Sequence, residues 1–127
     1  MKTLILILTS SMLMIGASCK TKKIASGIQM DAGKYHLLVS FYSPGDGIDV
    51  ATQGKYDEAI KKFEKDNKLT ISIEKANWGR EGEIDYCINL NNFNATQQTE
   101  FIDMSKKLLS TSTKVNILEN CDCKHKK

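Results

Sequence analysis

The sequence is poor in the residues and motifs on which catalysis usually depends. Its 127 residues include two histidines, one tryptophan and one proline, and only 7% of them are aromatic. It contains no Gly-x-Ser-x-Gly or His-Glu-x-x-His segment and no nucleotide-binding glycine loop. We therefore expect a protein that is not an enzyme and that carries no cofactor.

The chain also lacks a strong excess of charge of either sign. Eighteen Lys and Arg residues stand against 15 Asp and Glu residues, a formal net charge of +3. This excess is too small to predict nucleic acid binding. Lysines are concentrated at positions 20–23 and 124–127. We interpret both groups as solvated segments, although each charge would add attraction to an anionic membrane surface.

The longest apolar stretch, from Leu4 to Ile15, is too short to span a bilayer, which needs about 20 residues. Lys2 precedes it, and small residues at 16–18 lead to Cys19, which is the order of a secretory signal. The run 15–19 resembles the lipobox of bacterial lipoproteins, with Gly16 where that pattern more often has leucine. The resemblance implies cleavage before Cys19 and attachment of lipid, such as palmitate, to its thiol. The alternatives are a membrane anchor or an ordinary secretory signal.

We divide the chain into four parts on this basis. Residues 1–18 are the predicted signal peptide, 19–33 a lipidated flexible tether, 34–120 one folded domain, and 121–127 a tail rich in cysteine and lysine. The lipid would anchor the protein in the cell envelope, on the periplasmic side of a membrane. Because Lys20 is not an acidic retention signal, we expect the outer membrane.

Hydrophobic periodicity predicts four strands and two helices in the order βαββαβ. Alternating residues predict strands at 35–42, 69–74 and 84–90, and a short one at 115–117. Tyr56, Ile60 and Phe63 mark the buried side of a helix capped by Asp49. Phe101, Met104 and Leu108 mark the second helix.

This order predicts an α+β, ferredoxin-like fold. Right-handed crossovers place both helices on one face of a four-stranded antiparallel sheet, in the strand order 4-1-3-2. The other face of the sheet would then be open. We expect it to display His36, Leu38, Ser40, Tyr42, Thr70, Ser72, Glu74, Asp85, Cys87 and Asn89.

Three cysteines remain once Cys19 carries lipid. Cys121 and Cys123 are too close in sequence to bond to each other without strain. We therefore expect Cys87 to form a disulfide with one of them, leaving the other as a free thiol. The tail would have to fold back beneath the sheet for this bond to form.

A metal site is the alternative use of the same residues. Cys121, Cys123 and His125 alternate, so an extended tail would present all three on one side, and Cys87 would complete a set suited to Zn or Cu(I). The Cys-x-Cys-x-His spacing departs from common zinc motifs, and a basic tail opposes cation binding.

The segment 78–83 contains the other candidate side chains. Trp78 and Arg80 belong to the residue types that dominate binding hot spots. We expect instead that Trp78 covers one end of the core and that Arg80 pairs with Glu81 or Glu83. The neighbouring Asp85 is expected to be hydrated. A Cys87–His36 pair is the one arrangement that could serve an enzyme, as nucleophile and base.

Residues 39–127 resemble a group of small bacterial lipoproteins without an assigned activity. The segments that carry the resemblance are 40–49, 77–87 and 119–127, and Trp-Gly-Arg-Glu-Gly-Glu at 78–83 is the most specific of them. The resemblance implies a secreted lipoprotein domain and no reaction. We expect a non-enzymatic module that binds a protein partner, and alternatively a thiol or metal-binding protein.

Overall fold

The computed structural model of the protein describes residues 25–126. The predicted signal peptide, Cys19 and Lys127 lie outside the described residues. Six elements follow one another along the described chain: β1 (Lys34–Phe41), α1 (Val50–Asn67), β2 (Ser72–Asn77), β3 (Ile84–Asn89), α2 (Ala95–Leu109) and β4 (Val115–Asp122).

The strands form one antiparallel sheet in the order β2-β3-β1-β4. This is the predicted strand order, so the α+β, ferredoxin-like βαββαβ architecture is confirmed. In the two central strands Leu38 pairs with Cys87 and Ser40 with Asp85. Leu118 of β4 lies on the other side of Leu38. These pairs set the positions of the side chains on the face away from the helices.

The main core lies between the sheet and the two helices. Tyr56 from α1 and Phe101 from α2 are fully buried there, and Tyr56 contacts Phe41 and Tyr86. Each helix begins at a side-chain cap. Asp49 accepts a hydrogen bond from the backbone N–H of Thr52, and Asn94 and Gln97 form a reciprocal capping box.

The second strand begins later than its sequence pattern indicates. Leu69 to Ile73 alternate as a strand would, yet the ladder runs from Ser72 to Asn77. The backbone N–H of Ile71 donates to the carboxylate of Glu64 at 2.8 Å, so the end of α1 occupies the donor that the ladder would have used. Ile71 is nevertheless buried, which explains the apolar pattern.

The buried side of α2 is centred differently from the prediction. Phe101 and Leu109 are fully buried with Ser105 between them, whereas Met104 and Leu108 are only partly buried. The hydroxyl of Ser105 shares a 3.0 Å hydrogen bond with Tyr56 and donates to the carbonyl of Phe101. The apolar pattern does not predict a buried serine. Ser105 can be buried because its hydroxyl forms hydrogen bonds within the core.

The ordered domain extends beyond both predicted boundaries. Ser26 forms a bridge with Asn94, and the amide of Gln98 binds both the N–H and the carbonyl of Ile28. Residues 26–30, which we assigned to a flexible tether, are thus held against the start of α2. At the other end β4 continues to Asp122, past the predicted boundary at residue 120.

Candidate functional site

The last described residues of the chain, 123–126, cross the sheet face that we expected to be open. Cys123 forms a disulfide with Cys87 of β3, and their Cα atoms are 5.6 Å apart. The bond joins residues on either side of β1, as the expected fold-back of the tail requires. Residues 123–126 therefore form a strap over the sheet, which we call the tail strap. Under it lies a small second apolar cluster that contains Tyr35, Leu38 and Cys87.

Cys121 is the remaining thiol among the described residues. It is half-buried and packs on the same cluster as the disulfide. Burial raises the pKa of the Cys121 thiol, which disfavours the reactive thiolate. The expected arrangement of one disulfide and one free thiol is the one that the structure contains.

His125 is held in place by two contacts beyond the disulfide. Its ring stacks on Trp78, with ring centroids 4.3 Å apart and planes 18° apart. Its Nδ1 lies 2.6 Å from a carboxylate oxygen of Asp85. A residue that would be solvated in a free tail is thus fixed in position and orientation.

Asp85 is the fully buried acceptor of this site. One of its oxygens accepts hydrogen bonds from Ser40 Oγ at 2.5 Å and Trp78 Nε1 at 2.9 Å, and the other faces His125. The prediction that Asp85 is hydrated is wrong. Its position in a central strand removes it from water, and three donors from separate parts of the chain replace the solvent.

The last described residue of the tail strap contacts the outer strand β2. Lys126 Nζ lies 2.7 Å from a carboxylate oxygen of Glu74 and 3.2 Å from the hydroxyl of Tyr35. The Lys126 ammonium, with help from the Tyr35 hydroxyl, lowers the pKa of Glu74. The charged side chains of Lys126 and Glu74 are exposed, so their ion pair contributes little free energy by itself.

The expectation that Trp78 covers one end of the core is wrong. Trp78 is half-buried on the sheet face, where it contacts His125 and Asp85. Arg80 is exposed and forms no ion pair with Glu81 or Glu83 among residues 25–126. The buried Glu83 instead accepts from the backbone N–H of Glu81 at 2.8 Å and so shapes the loop.

Gly79 is required by this loop. Its φ is +55°, in the left-handed region, and a Cβ there would collide with the carboxylate of Glu83. The loop therefore closes tightly, and its backbone holds Trp78 against the sheet through a 3.0 Å bond from the N–H of Trp78 to the carbonyl of Glu83. Gly79 thus affects the site indirectly, because the tight loop that it permits sets the position of Trp78.

A cavity of about 410 Å³ lies on this face, between the tail strap and the edge strand β4. Leu38, Ser40 and Leu118 line it from the sheet, and Trp78 and His125 from the strap side. A second cavity of about 730 Å³ adjoins it and shares Trp78 and His125. The first volume falls within the range of about 300–1,000 Å³ that is typical of small-molecule sites.

The ligands of the alternative metal site do not come together as a set. Cys87 and Cys123 are bonded to each other, and His125 faces Asp85. A disulfide sulfur is not the thiolate that zinc and copper bind. Within residues 25–126 no group of three or more His, Cys, Asp or Glu side chains is placed to hold a metal ion.

The prediction that His36 shares the face of Cys87 is wrong, and this excludes the Cys87–His36 pair considered as nucleophile and base. His36 faces α2, lining a cavity with Gln98 and Ile102. Its ring nitrogens contact the carbonyl of Ile28 and the N–H of Leu90. Strand alternation is interrupted here, since Asn120, opposite His36, has a φ of +52° and the two do not form a ladder pair.

Sequence reasoning found the cysteines, Trp78 and His125, but missed Asp85 and Ser40 as partners in one site. The available signal was an aspartate between apolar residues of a strand, which suggests a buried carboxylate with specific donors. The identity of those donors depends on the path of the tail strap. That path is a tertiary feature.

Comparisons with protein-family models, with curated proteins and with solved structures give no significant match for this chain. None of the helices within the described part of the chain is long and apolar enough to cross a membrane. A function for this protein must therefore be inferred from the geometry of the site.

Proposed function

We propose that this protein is a lipid-anchored, non-enzymatic binding module of the bacterial cell envelope. Its binding surface is the sheet face crossed by the tail strap. The observation that carries the proposal is the cavity of about 410 Å³ walled by Trp78 and His125. Disulfide, ring stacking and a buried carboxylate hold these side chains, and such preorganisation is typical of binding sites.

The attachment of the N-terminal segment supports an orientation of this surface. Ser26 is fixed beside Asn94, and the chain from Cys19 to Ser26 reaches at most about 25 Å. A lipid on Cys19 would keep the start of β1 near the membrane. The cavity lies by Ser40, about 20 Å further along the strand. This arrangement would leave room for the cavity to lie clear of the bilayer, where a partner has access.

Site-specific photo-crosslinking in cells tests the proposal. A photoreactive amino acid at the exposed position Asn116, on the rim of the cavity, is expected to capture one specific envelope component. The same amino acid at the exposed Lys55 of α1, on the helix side, is the matched control. Equal capture at both positions, or none at Asn116, would contradict the proposal.

Anchoring is tested separately by metabolic labelling with a palmitate analogue. We expect label in the protein, and its loss together with release from the membrane fraction in Cys19→Ala. Cys121→Ala is the control, because this thiol lies within the folded domain. Label that persists in Cys19→Ala would show that the anchor is elsewhere.

A thiol function is the second candidate, and one observation favours it. The Cys121 thiol packs on the same cluster as the Cys87–Cys123 disulfide, so the three sulfurs are neighbours in one region. Attack of the Cys121 thiolate on the disulfide would form a new disulfide and release one thiolate. The raised pKa of Cys121 opposes this exchange at neutral pH, so we rank it second.

A further inference from the structure

The hydroxyl hydrogens and the indole N–H that line the smaller cavity are already used within the protein. Ser40 Oγ donates to Asp85, and the hydroxyl of Tyr42 donates to the carbonyl of Thr113 at 2.6 Å. Ser43 Oγ donates to Glu81, and Trp78 Nε1 donates to Asp85. A hydroxyl that has given its single hydrogen offers only lone pairs to a ligand.

The imidazole of His125 follows the same rule. Nδ1 faces the buried carboxylate of Asp85, which is an acceptor, so the neutral tautomer that fits this contact carries its hydrogen on Nδ1. In that tautomer Nε2 is an acceptor, and it has no hydrogen-bond partner within residues 25–126. One oxygen of the Glu83 carboxylate binds the loop backbone, and the other adds a further acceptor to the lining.

The remaining lining residues supply an apolar surface and two donors. Leu38 and Leu118 contribute aliphatic side chains beside the indole of Trp78. The side-chain amide of Asn116 offers both an N–H and a carbonyl, and it has no hydrogen-bond partner in the described chain. Lys124 is the cationic donor, and it is exposed.

These properties select among ligand classes. An anion would meet a lining made mainly of acceptors, including the Glu83 carboxylate. For a cation, the attraction of the Glu83 carboxylate is offset by the ammonium of Lys124. A neutral molecule with several hydroxyl donors and an apolar face satisfies both the acceptors and the leucine and tryptophan surface. A saccharide ring has this composition, since its hydroxyls lie around the rim and its C–H groups form a face.

We infer that this cavity binds a neutral saccharide ring, with hydroxyls donating to Ser40, Tyr42 and His125. The inference rests on the proposed binding function and specifies the chemistry of the ligand. The same ring chemistry occurs in free oligosaccharides and in insoluble cell-wall glycan. Both are therefore tested as sources.

Tryptophan fluorescence gives a direct readout, because Trp78 is the only tryptophan of the chain. The full protein, purified in a detergent without a sugar headgroup, is titrated with a β-linked trisaccharide of N-acetylglucosamine and with maltotriose. We expect a saturable change in emission for at least one of them, with half-saturation at about 1 mM or below. Sedimentation with purified cell-wall glycan tests the polymeric source.

Two conservative variants test the assigned polar contacts. Tyr42→Phe and Asn116→Ala are each expected to weaken saccharide binding by about tenfold, because each removes one hydrogen bond to the ligand. Both residues are partly or fully exposed, so the fold is retained. Lys55→Ala, on the outer side of α1, is the control and should bind as the unchanged protein does.

Ionic strength separates a neutral ligand from a charged one. Raising salt from roughly 0.05 M to 0.5 M should leave saccharide affinity within about twofold, since screening acts on charged pairs. The inference is overturned if no saccharide gives a saturable signal at tenfold higher concentration and no protein sediments with the glycan. It is also overturned if Tyr42→Phe and Asn116→Ala bind unchanged. Specific crosslinking at Asn116 would in those cases leave the binding function standing and reject only the saccharide.

Discussion

At the scale of single residues, Asp85 connects three parts of the chain that are distant in sequence. It accepts hydrogen bonds from Ser40 of β1, Trp78 of the loop and His125 of the tail strap. A carboxylate without exposed surface is costly unless its lone pairs are satisfied. Asp85 therefore makes the stability of the site depend on all three donors at once.

We expect Asp85→Ala to lower the free energy of unfolding by about 2–4 kcal/mol, because it leaves the three donors without an acceptor. Asp85→Asn should cost roughly half as much. Its amide oxygen still serves Ser40 and Trp78, and the neutral imidazole of His125 can adopt its other tautomer. Urea unfolding measures both. Asp103→Ala, at an exposed position of α2, should change stability by less than about 0.5 kcal/mol.

The state of the thiols is checked by counting alkylated cysteines among Cys87, Cys121 and Cys123 by intact mass. Protein kept oxidised should carry one label, on Cys121, and reduced protein should carry three. Three labels in both samples would show that the disulfide does not form and would move the metal and thiol hypotheses ahead.

At the scale of secondary-structure elements, helix ends were easier to predict than strand limits. Asp49 and Asn94 act as caps through local hydrogen bonds, which depend on residues within one turn. The limits of β2 depend instead on Glu64, which binds the N–H of Ile71 from another element. No local pattern contains that contact.

The cap of α1 predicts a specific dependence on pH. Hydrogen bonds from the Thr52 backbone, and from the hydroxyls of Ser112 and Thr52, lower the pKa of Asp49 from 3.8 to about 2. Its stabilisation is therefore full above pH 3.8 and is lost as the pH falls through about 2.

Asp49→Ala should cost about 1 kcal/mol at neutral pH, and the difference from the unchanged protein should shrink in acid. Denaturant unfolding at several pH values measures it, with the exposed Glu58→Ala of α1 as control. A cost that stays constant down to pH 2 would refute the assignment of the ionised carboxylate as the cap.

At the scale of the whole molecule, the tail strap turns a sheet face into a site with cavities, because residues of the strap form one side of them. Its His125 and Lys124 line both neighbouring cavities, and the disulfide anchors it to β3. Release of the strap would remove one wall of the site and uncover the apolar cluster around Leu38.

Cys123→Ser should therefore lower the free energy of unfolding by about 2–4 kcal/mol, since the disulfide closes a loop across 36 residues. It should also shift Trp78 emission to longer wavelength as His125 leaves the ring. Cys121→Ser is the matched control, with a cost below about 1 kcal/mol and unchanged emission. Equal effects of the two variants would show that the strap is not held by this bond.

The sequence by itself determined the element order, the strand order, the cap of α1 and the pairing of Cys87 with a tail cysteine. These features follow from periodicity, turn chemistry and topology rules, which act over short stretches or restrict connections. It did not determine the face of His36, because Asn120 interrupts the alternation of the neighbouring strand.

Only the tertiary structure decided which tail cysteine is bonded and what surrounds Asp85. Both depend on the route of residues 123–126 across β1, which brings together groups such as Ser40 and His125 that are far apart in sequence. A buried polar side chain is tolerated only when it has hydrogen-bond partners, and the partners of Asp85 come from distant parts of the chain. Those partners are set by packing, and packing is a property of the whole chain.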